Sequence, residues 1–385
     1  MPKVTILCGE SPLPVCQALK TLAADEVVII HGQGGSKNVA NRVKDFCLDT
    51  LNIDKSKVHQ LEVDAFHPIR CHNTLFENKT LLASSALVYG PGTSVMNAMI
   101  HDVWRWAGGN DFTEGQSWYL QATPSRLLPS NAEVGKDGKI AQPTGLNCEG
   151  LMKLHIPDGL QIRPLTNPKI NTPDIVADQV LDALYRGTVT NGQLVRNVQA
   201  HQDFTQQFHG QFDLGHFLEI VVYQVLQQSF DTVESDPVEF AHSIEVVDPR
   251  NEAILEMDVL LKKGDKTLWI SCATLKAVST STLRKKYFEA MANATRLGGK
   301  EARSLTIVSE FNVKQNFARR IQRGIYLRGR LDLPTECTPA HRHVIINIAE
   351  LLGADPNATV KAAQNELKRN AAPWLFEWIR SALND

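Results

Sequence analysis

The chain has 385 residues, of which 43% are hydrophobic and 21% are charged. This length is enough for two or three domains, and the composition is that of an ordinary globular protein with a large buried core. The formal net charge of −2 excludes a generally cationic protein, so any contact with nucleic acid must come from a local basic patch.

Two further features exclude other protein classes. No apolar stretch approaches the ~20 residues that a membrane span requires, and the N-terminal residues run straight into a strand rather than a signal peptide. The seven cysteines include no C-x-x-C pair, which is typical of reduced thiols. We therefore expect a cytoplasmic protein that makes no membrane contact.

The first third of the chain alternates short apolar strands with amphipathic helices. The predicted strands are residues 4–8, 26–31, 58–63, 85–89 and 118–122. The predicted helices are residues 13–24, 38–51 and 95–106. This alternation predicts a Rossmann-like α/β domain, with a parallel sheet and helices on both of its faces.

Two glycine-rich turns, residues 32–36 and 90–94, follow predicted strands of this sheet. Ligands of parallel sheets bind at the carboxyl ends of the strands, where the backbone N–H groups of such turns hold phosphates. Neither turn matches the dinucleotide or Walker pattern, which argues against a dehydrogenase or a P-loop enzyme. Tight turns also need glycine for steric reasons alone. An anion or nucleotide site and a purely steric role therefore both stay open.

Glycine and proline concentrate between residues 156 and 173, which we interpret as a linker or domain edge. A helix over residues 174–185 follows, and a second domain is predicted from about residue 206. Three of its strands, residues 243–247, 253–261 and 267–274, are predicted to form an antiparallel sheet, and a fourth strand covers 305–308. The predicted helices of this domain are residues 214–230, 280–297, 314–325, 344–352 and 359–383.

Asp258 is an acid in the apolar strand of residues 253–261. A carboxylate in such a strand costs desolvation energy unless it is paired, and a metal ion is one suitable partner. Glu219, on the apolar helix that precedes this strand, offers a second carboxylate. The alternative is that both acids are partly buried and paired with arginines.

The order of these elements resembles the PD-(D/E)XK nucleases, in which the strand after the Asp strand carries Ile-Glu-Cys-Lys. This chain reads Ile-Ser-Cys-Ala from residue 270, so Ser271 and Ala273 stand at the usual Glu and Lys positions. In working enzymes the acids hold Mg²⁺ or Mn²⁺ and the Lys orients or activates the attacking water. The resemblance implies a restriction-endonuclease-like α/β domain with Glu219, Asp258, Ser271 and Ala273 at its catalytic site.

Within that site, Asp258 and Glu219 are the implied metal ligands, and the loss of the other two groups implies impaired chemistry. Two replacements are conceivable. Glu256 lies two residues from Asp258 and hence on the same strand face. Lys276 lies three residues after Ala273 and reaches the site only if the strand ends or bulges there.

The N-terminal turns resemble the ligand loops of the CARF domain (CRISPR-associated Rossmann fold). They read Ser-Pro-Leu-Pro at residues 11–14 and Tyr-Gly-Pro-Gly-Thr-Ser-Val-Met at residues 89–96. The second loop usually reads Thr-Gly-Gly-Thr-Lys-x-Met, so Ser94 stands at the family's Lys. By position, the residues implied to face the ligand are Glu10, Ser11, Gly32, Gln33, Gly92, Thr93 and Ser94.

A CARF domain followed by a PD-(D/E)XK domain is similar to the Card/Can group of CRISPR ancillary nucleases, which act in antiviral defence. These are homodimers that bind cyclic oligoadenylate across the dimer interface and then cut nucleic acid. A two-fold cyclic ligand implies an isologous dimer. The resemblance covers nearly the whole chain.

We therefore expect a ligand-sensing domain at residues 1–155, a connector at 156–205 and a nuclease-like domain at 206–385. The leading hypothesis is a homodimeric cyclic-oligoadenylate sensor whose nuclease-like domain binds single-stranded DNA or RNA but has lost groups of its metal site. Two alternatives stay open. One is an Mg²⁺- or Mn²⁺-dependent endonuclease switched on by cyclic tetra-adenylate, and the other is a non-catalytic nucleotide-binding regulator.

A basic cluster near the C-terminus has two interpretations. Its members are Arg319, Arg320, Arg323, Arg328 and Arg330. Such a cluster either meets a nucleic-acid backbone or forms a solvated face with local salt bridges, and the second is the more common origin.

Overall fold

The structure, a computed structural model, divides into two compact units, Met1–Asp158 and Gly159–Asp385. It describes residues 2–110, 113, 116–122, 125–130, 138–164, 188–190, 193–195, 218–219, 222–223, 226–227, 230, 237–274, 280–299, 302–309, 342–347 and 373–384. Within these ranges, no helix is both long enough and apolar enough to cross a membrane.

The described part of the first unit is a sheet covered by helices. Its strands are β1 (Lys3–Cys8), β2 (Glu26–His31), β3 (Val58–Glu62), β4 (Ala86–Tyr89), β5 (Ser117–Ala122), β6 (Ser125–Pro129) and β7 (Lys139–Ile140). Its helices are α1 (Pro12–Thr21), α2 (Gly35–Asp49), α3 (Pro68–Glu77), α4 (Lys79–Leu82), α5 (Ser94–Trp106) and α6 (Cys148–His155), with a short 3-10 helix at Lys55–Lys57.

These strands form one sheet in the order β3-β2-β1-β4-β5-β6-β7, parallel from β3 to β5 and antiparallel at β6 and β7. Alternate residues of β1 enter different cores, Ile6 on the face of α1 and α2 and Leu7 on the face of α3 and α5. A strand that is buried on both faces needs apolar residues at nearly every position. This requirement explains the continuous apolar runs from which β1 and β2 were predicted.

The predicted Rossmann-like sheet is therefore confirmed, but α3 was not predicted. Only Cys71 and Leu75 of α3 are buried. Two apolar contacts one turn apart give too little periodicity to indicate a helix, although Pro68 at its first turn is a typical helix start.

The described part of the second unit contains a six-stranded sheet and a separate two-stranded ribbon, β10-β9. The strands are β8 (Gln161–Pro164), β9 (Thr188–Thr190), β10 (Gln193–Val195), β11 (Glu239–Val247), β12 (Ala253–Lys263), β13 (Lys266–Thr274), β14 (Arg303–Ser309) and β15 (His343–Asn347). The helices are α7 (Thr280–Gly298) and α8 (Pro373–Asn384). Further helical residues are Leu218, Glu219, Val222, Tyr223, Leu226, Gln227 and Phe230.

The order of the larger sheet is β15-β14-β13-β12-β11-β8. Its centre is the predicted hairpin of β12 and β13, which is antiparallel and turns at Gly264, where φ is +57°. Such a φ is favourable for glycine and unfavourable for most other residues. β14 and β15 then pair in parallel with β13 and β14, so the sheet is mixed.

Two features differ from the predictions. β8 lies within the stretch interpreted as a connector, and it joins the second sheet by pairing with β11, where Arg163 forms an ion pair with Glu245. The two compact units divide at Asp158–Gly159, so β8 belongs to the second unit. The helix predicted over residues 344–352 is wrong at its start, because His343–Asn347 is strand β15.

Several predicted features lie outside the described residues. These are the helices over residues 174–185 and 314–325, the greater part of the predicted helix 359–383, the arginine cluster of residues 319–330 and Lys276.

Candidate functional site

The two turns predicted to hold a ligand meet at the carboxyl edge of the first sheet. β1 lies between β2 and β4, so the strand order reverses beside it, and ligands of open α/β sheets bind at such a reversal. The turn after β1 contacts the turn after β4, since a Cβ atom built on Gly9 would lie 2.8 Å from the backbone nitrogen of Gly92. Glycine at position 9 therefore allows the two turns to approach. The sequence analysis did not single out Gly9.

Asn97 holds the turn after β4 in shape. The backbone N–H of Gly90 donates to Asn97 Oδ1 at 2.8 Å, and Asn97 Nδ2 donates to the carbonyl oxygen of Thr93 at 2.9 Å. Gly90 and Gly92 have φ values of +115° and +96°, which favour glycine. Sequence reasoning also missed Asn97, whose only signal is an amide in the first turn of the helix that follows the glycines.

The hydroxyl of Thr93 has a positioning role. It donates to the carbonyl oxygen of Ala65 at 2.5 Å and accepts from the backbone N–H of Met96 at 3.2 Å, as the N-cap of α5. By contrast, the side chain of Ser11 makes no capping hydrogen bond to α1, and Glu10 and Ser94 are exposed. Gln33 is exposed, and Gly32 is buried against Ala65.

Four helix N-termini point to this edge, because α1, α2, α3 and α5 all begin directly after strands or turns of its carboxyl side. None of the four has an acidic residue in its first turn. The N-terminus of a helix carries partial positive charge and free N–H groups, which bind phosphates and other anions. These helix N-termini therefore favour an anion at this edge.

In the second unit, Asp258 lies where β12 and β13 separate. The last pair of the hairpin is Val259 with Ile270. One residue further, Asp258 Oδ2 accepts a hydrogen bond of 2.5 Å from the backbone N–H of Cys272. A side-chain carboxylate thus binds a backbone donor that the partner strand no longer satisfies.

The surroundings of Asp258 raise its pKa from 3.8 to about 6. Burial is the largest cause, and the negative charge of Glu256 adds to it. The backbone N–H of Cys272, the positive charge of Lys286 and a hydrogen bond with Ser271 act in the opposite direction. Perturbed pKa values of this size are frequent at functional sites.

Glu219 lies near Asp258 on the helix that precedes β11. Its side chain is buried, and its Oε2 accepts from the Ser243 hydroxyl at 3.4 Å. In the β11–β12 register, Ser243 lies between two residues that pair with Val259 and Met257, which places it level with Asp258. Ser243 therefore bonds to Glu219 and lies level with Asp258 on the neighbouring strand.

The structure places Ser271 beside Asp258, on the strand face shared with Ala273, which is buried at 6% exposure. α7 packs over this face, since a Cβ atom on its Gly298 would lie 2.6 Å from Trp269 Nε1. α7 also carries Lys286, a charge near Asp258 that the sequence analysis did not find. Glu256 is exposed on β12.

Two of these residues could serve as ligands of a divalent ion. Asp258 and Glu219 supply hard carboxylate oxygens of the kind that Mg²⁺ takes while keeping several waters. Across the described ranges, however, no three His, Cys, Asp or Glu side chains gather into a metal-binding group. A bound divalent ion in such a site would polarise a phosphate and lower the pKa of water.

Comparisons with solved structures identify the fold. No protein-family model and no curated protein matches the sequence. The structure of Can2 from Sulfobacillus thermosulfidooxidans in complex with cyclic tetra-adenylate is similar with a TM-score of 0.59 and 14% identity, over 98% of this chain and 99% of Can2. Protein VC1899 from Vibrio cholerae has a TM-score of 0.60 and 13% identity, over 100% and 99% of the two chains.

At these identities the likeness establishes the fold and nothing finer. It extends over both units, and it agrees with the parallel sheet of the first unit and the mixed sheet of the second. In fold, this chain is therefore a Rossmann-like, mostly parallel sheet followed by a second α/β unit with a mixed sheet, and it is similar to Can2 over nearly its whole length.

Proposed function

We propose that this chain is a CRISPR-associated sensor of cyclic oligoadenylate, with a nuclease-like domain that binds nucleic acid. The observation that carries the proposal is the contact of Gly9 with Gly92 at the strand-order reversal, surrounded by four helix N-termini without acidic first turns. This edge suits a ligand with several phosphates. Can2, which shares the fold, was solved with cyclic tetra-adenylate.

The symmetry of the ligand sets how many chains bind one ring. A cyclic tetra-adenylate ring has two-fold symmetry, and a ring shared by two identical edges requires an isologous homodimer. One ring then binds per two chains. Glu10, Ser11, Gln33 and Ser94 would face the ring, while Gly32, Gly92 and Thr93 shape the turns.

The second part of the proposal is that the nuclease-like site has weakened metal chemistry. Its support is the pair Asp258 and Glu219, with Ser271 and Ala273 in the places where the resemblance expects an acid and a lysine. Serine is a poor ligand for a divalent ion and alanine supplies no ligand. The domain would bind single-stranded DNA or RNA and cut it slowly or not at all.

Ligand sensing is tested by titration calorimetry of the full chain with cyclic tetra-adenylate, using the linear tetra-adenylate as control. The proposal predicts binding of the ring at one per two chains and much weaker binding of the linear form. Absence of binding to any cyclic oligoadenylate contradicts it.

Impaired cleavage is tested with labelled single-stranded DNA and RNA in Mn²⁺, with and without the ring. The proposal predicts bound but largely intact substrate. Rapid cutting that Asp258→Ala abolishes would instead establish a competent endonuclease.

A further inference from the structure

Phe66 is the most exposed large hydrophobic side chain in the described part of the chain, at 83%. It lies in the turn of residues 64–67, between β3 and α3. A phenylalanine in water forgoes the hydrophobic gain of burial, so a ligand that covered the ring would gain free energy from that contact.

The 64–67 turn crosses the carboxyl edge of the sheet. β3 is the outer strand, yet Ala65 contacts the turns that follow both β2 and β4. The Cβ of Ala65 lies 2.8 Å from a Cβ built on Gly32, and its carbonyl oxygen accepts from the Thr93 hydroxyl at 2.5 Å. Phe66 is therefore one residue from the two turns that line the proposed ligand site.

The backbone that carries the ring is held at both ends. Asp64 Oδ1 accepts the N–H groups of Phe66 at 3.2 Å and of His67 at 3.1 Å. Before them, the N–H of Val63 donates to the carbonyl oxygen of His31 at 2.9 Å. Such a turn presents the ring in a defined place, which lowers the entropy lost when a ligand binds.

We propose that Phe66 is the stacking platform for an adenine base of the cyclic ligand, an inference that rests on the proposed function. Helix N-termini and glycine turns suit the phosphates of the ring but offer nothing to the flat faces of its purines. An aromatic ring at the rim of the phosphate site supplies that surface, since bases stack on aromatic side chains. Ile69, one helical turn further on and 68% exposed, extends the apolar surface.

The test is the affinity of the full chain for cyclic tetra-adenylate, measured by titration calorimetry for Phe66→Ala, Phe66→Trp and Trp106→Ala. Because two chains share one ring, Phe66→Ala removes two base–aromatic stacks and should weaken binding by about 100-fold or more. Phe66→Trp should stay close to wild type. Trp106 is the matched control, because it is an aromatic residue with 72% exposure at the far end of α5, and its replacement should leave the affinity unchanged.

The outcomes separate this inference from the proposed function. If the wild-type chain binds no ring, the proposed function fails and the inference falls with it. If the wild type binds and Phe66→Ala binds equally well, only the inference is overturned. The competing occupant of Phe66 is a second copy of the chain. Sedimentation equilibrium decides this case, since a Phe66→Ala chain that loses dimerisation, and regains ligand affinity when concentrated, makes Phe66 a subunit contact.

Discussion

The carboxylate of Asp258 accepts a hydrogen bond of 2.5 Å from the backbone N–H of Cys272, one residue beyond the last pair of the β12–β13 hairpin. A negative charge is thereby held at a half-buried position by a neutral donor. A charge without an oppositely charged partner in direct contact is poorly stabilised there, which agrees with the raised pKa of Asp258, about 6. We therefore expect the ionised carboxylate to lower the stability of the folded chain at neutral pH.

The first prediction concerns the loss of folded-state stability caused by ionised Asp258. A carboxyl whose pKa is raised on folding stabilises the folded state only when it is protonated, so the contribution is present at pH 4 and lost as pH rises through 6. Asp258→Asn should therefore stabilise the second unit at pH 7.5, by roughly 3 kcal/mol from the size of the pKa shift, and by much less at pH 4.5. Urea unfolding at the two pH values measures the difference.

Glu252→Gln is the control for that experiment, because Glu252 is an exposed acid at the start of the same strand region. It should change stability little at either pH. An equal effect of Asp258→Asn at pH 7.5 and 4.5 would show that burial does not raise the pKa of this carboxyl.

The second prediction restores the groups that the site lacks. Ser271→Glu with Ala273→Lys should raise Mn²⁺ affinity by about 10-fold or more, because a third carboxylate joins Asp258 and Glu219. The double variant should also gain metal-dependent cutting of single-stranded nucleic acid. Metal titration and a gel assay of the cleaved strand measure the two effects.

A matched uncharged pair controls for side-chain size at these positions. Ser271→Gln with Ala273→Met adds similar volume without charge, and Ala273 has only 6% exposure, so both pairs disturb packing under α7. If the charged pair binds Mn²⁺ no better than the uncharged pair, the two positions do not belong to a metal site.

The third prediction tests the contact between the turns of the first sheet. Gly9→Ala would bring a Cβ to 2.8 Å from the backbone nitrogen of Gly92, a separation that forces the turns apart. Affinity for cyclic tetra-adenylate should fall about 10-fold or more, since misplaced N–H groups no longer meet the phosphates. Lys55→Ala is the control, because Lys55 is exposed in the short 3-10 helix before β3, at the opposite edge of the sheet. Equal affinities of the two variants would place the ligand elsewhere.

The fourth prediction concerns Thr93. Thr93→Val keeps the shape of the side chain but removes the N-cap of α5 and leaves the carbonyl of Ala65 without its donor. The first unit should lose about 1–2 kcal/mol of stability, and Thr93→Ser should restore most of it. Thermal unfolding of the three chains provides the measurement, and a Thr93→Val chain as stable as wild type would exclude the role.

The fifth prediction concerns acid stability of the first unit. Burial lowers the pKa of His155 from 6.5 to about 4, with the nearby charge of Arg42 acting in the same direction. Because the unfolded chain takes up the proton first, stability should be lost as pH falls from about 6.5 to 4, by roughly 3 kcal/mol. His155→Leu should flatten this dependence in urea unfolding at pH 7 and pH 4.5. An unchanged pH dependence would rule out His155 as its source.

Much of the fold could be predicted because burial on both faces leaves a strong sequence pattern. β1 and β2 are continuous apolar runs, and the hairpin of β12 and β13 is marked by its glycine turn. β15 was mistaken for the start of a helix because Val344, Ile345 and Ile346 are all buried. A short apolar run of this kind has no periodicity that separates a strand from a buried helix.

The site was harder to predict, because its working parts are contacts between distant residues. Gly9 lets its turn approach Gly92, and the carbonyl oxygen of Ala65 accepts a hydrogen bond from Thr93. No local sequence pattern indicates either contact. Lys286 is another such residue, since only the packing of α7 over β13 brings its charge near Asp258.

The most direct test of the central claim is hydrogen–deuterium exchange of the full chain with and without cyclic tetra-adenylate. If the ring binds at the strand-order reversal, amides of residues 9–15 and 90–97 become protected together, while β12 and β13 keep their exchange rates or change less. Protection confined to other parts of the chain, or none at saturating ligand, would contradict the account.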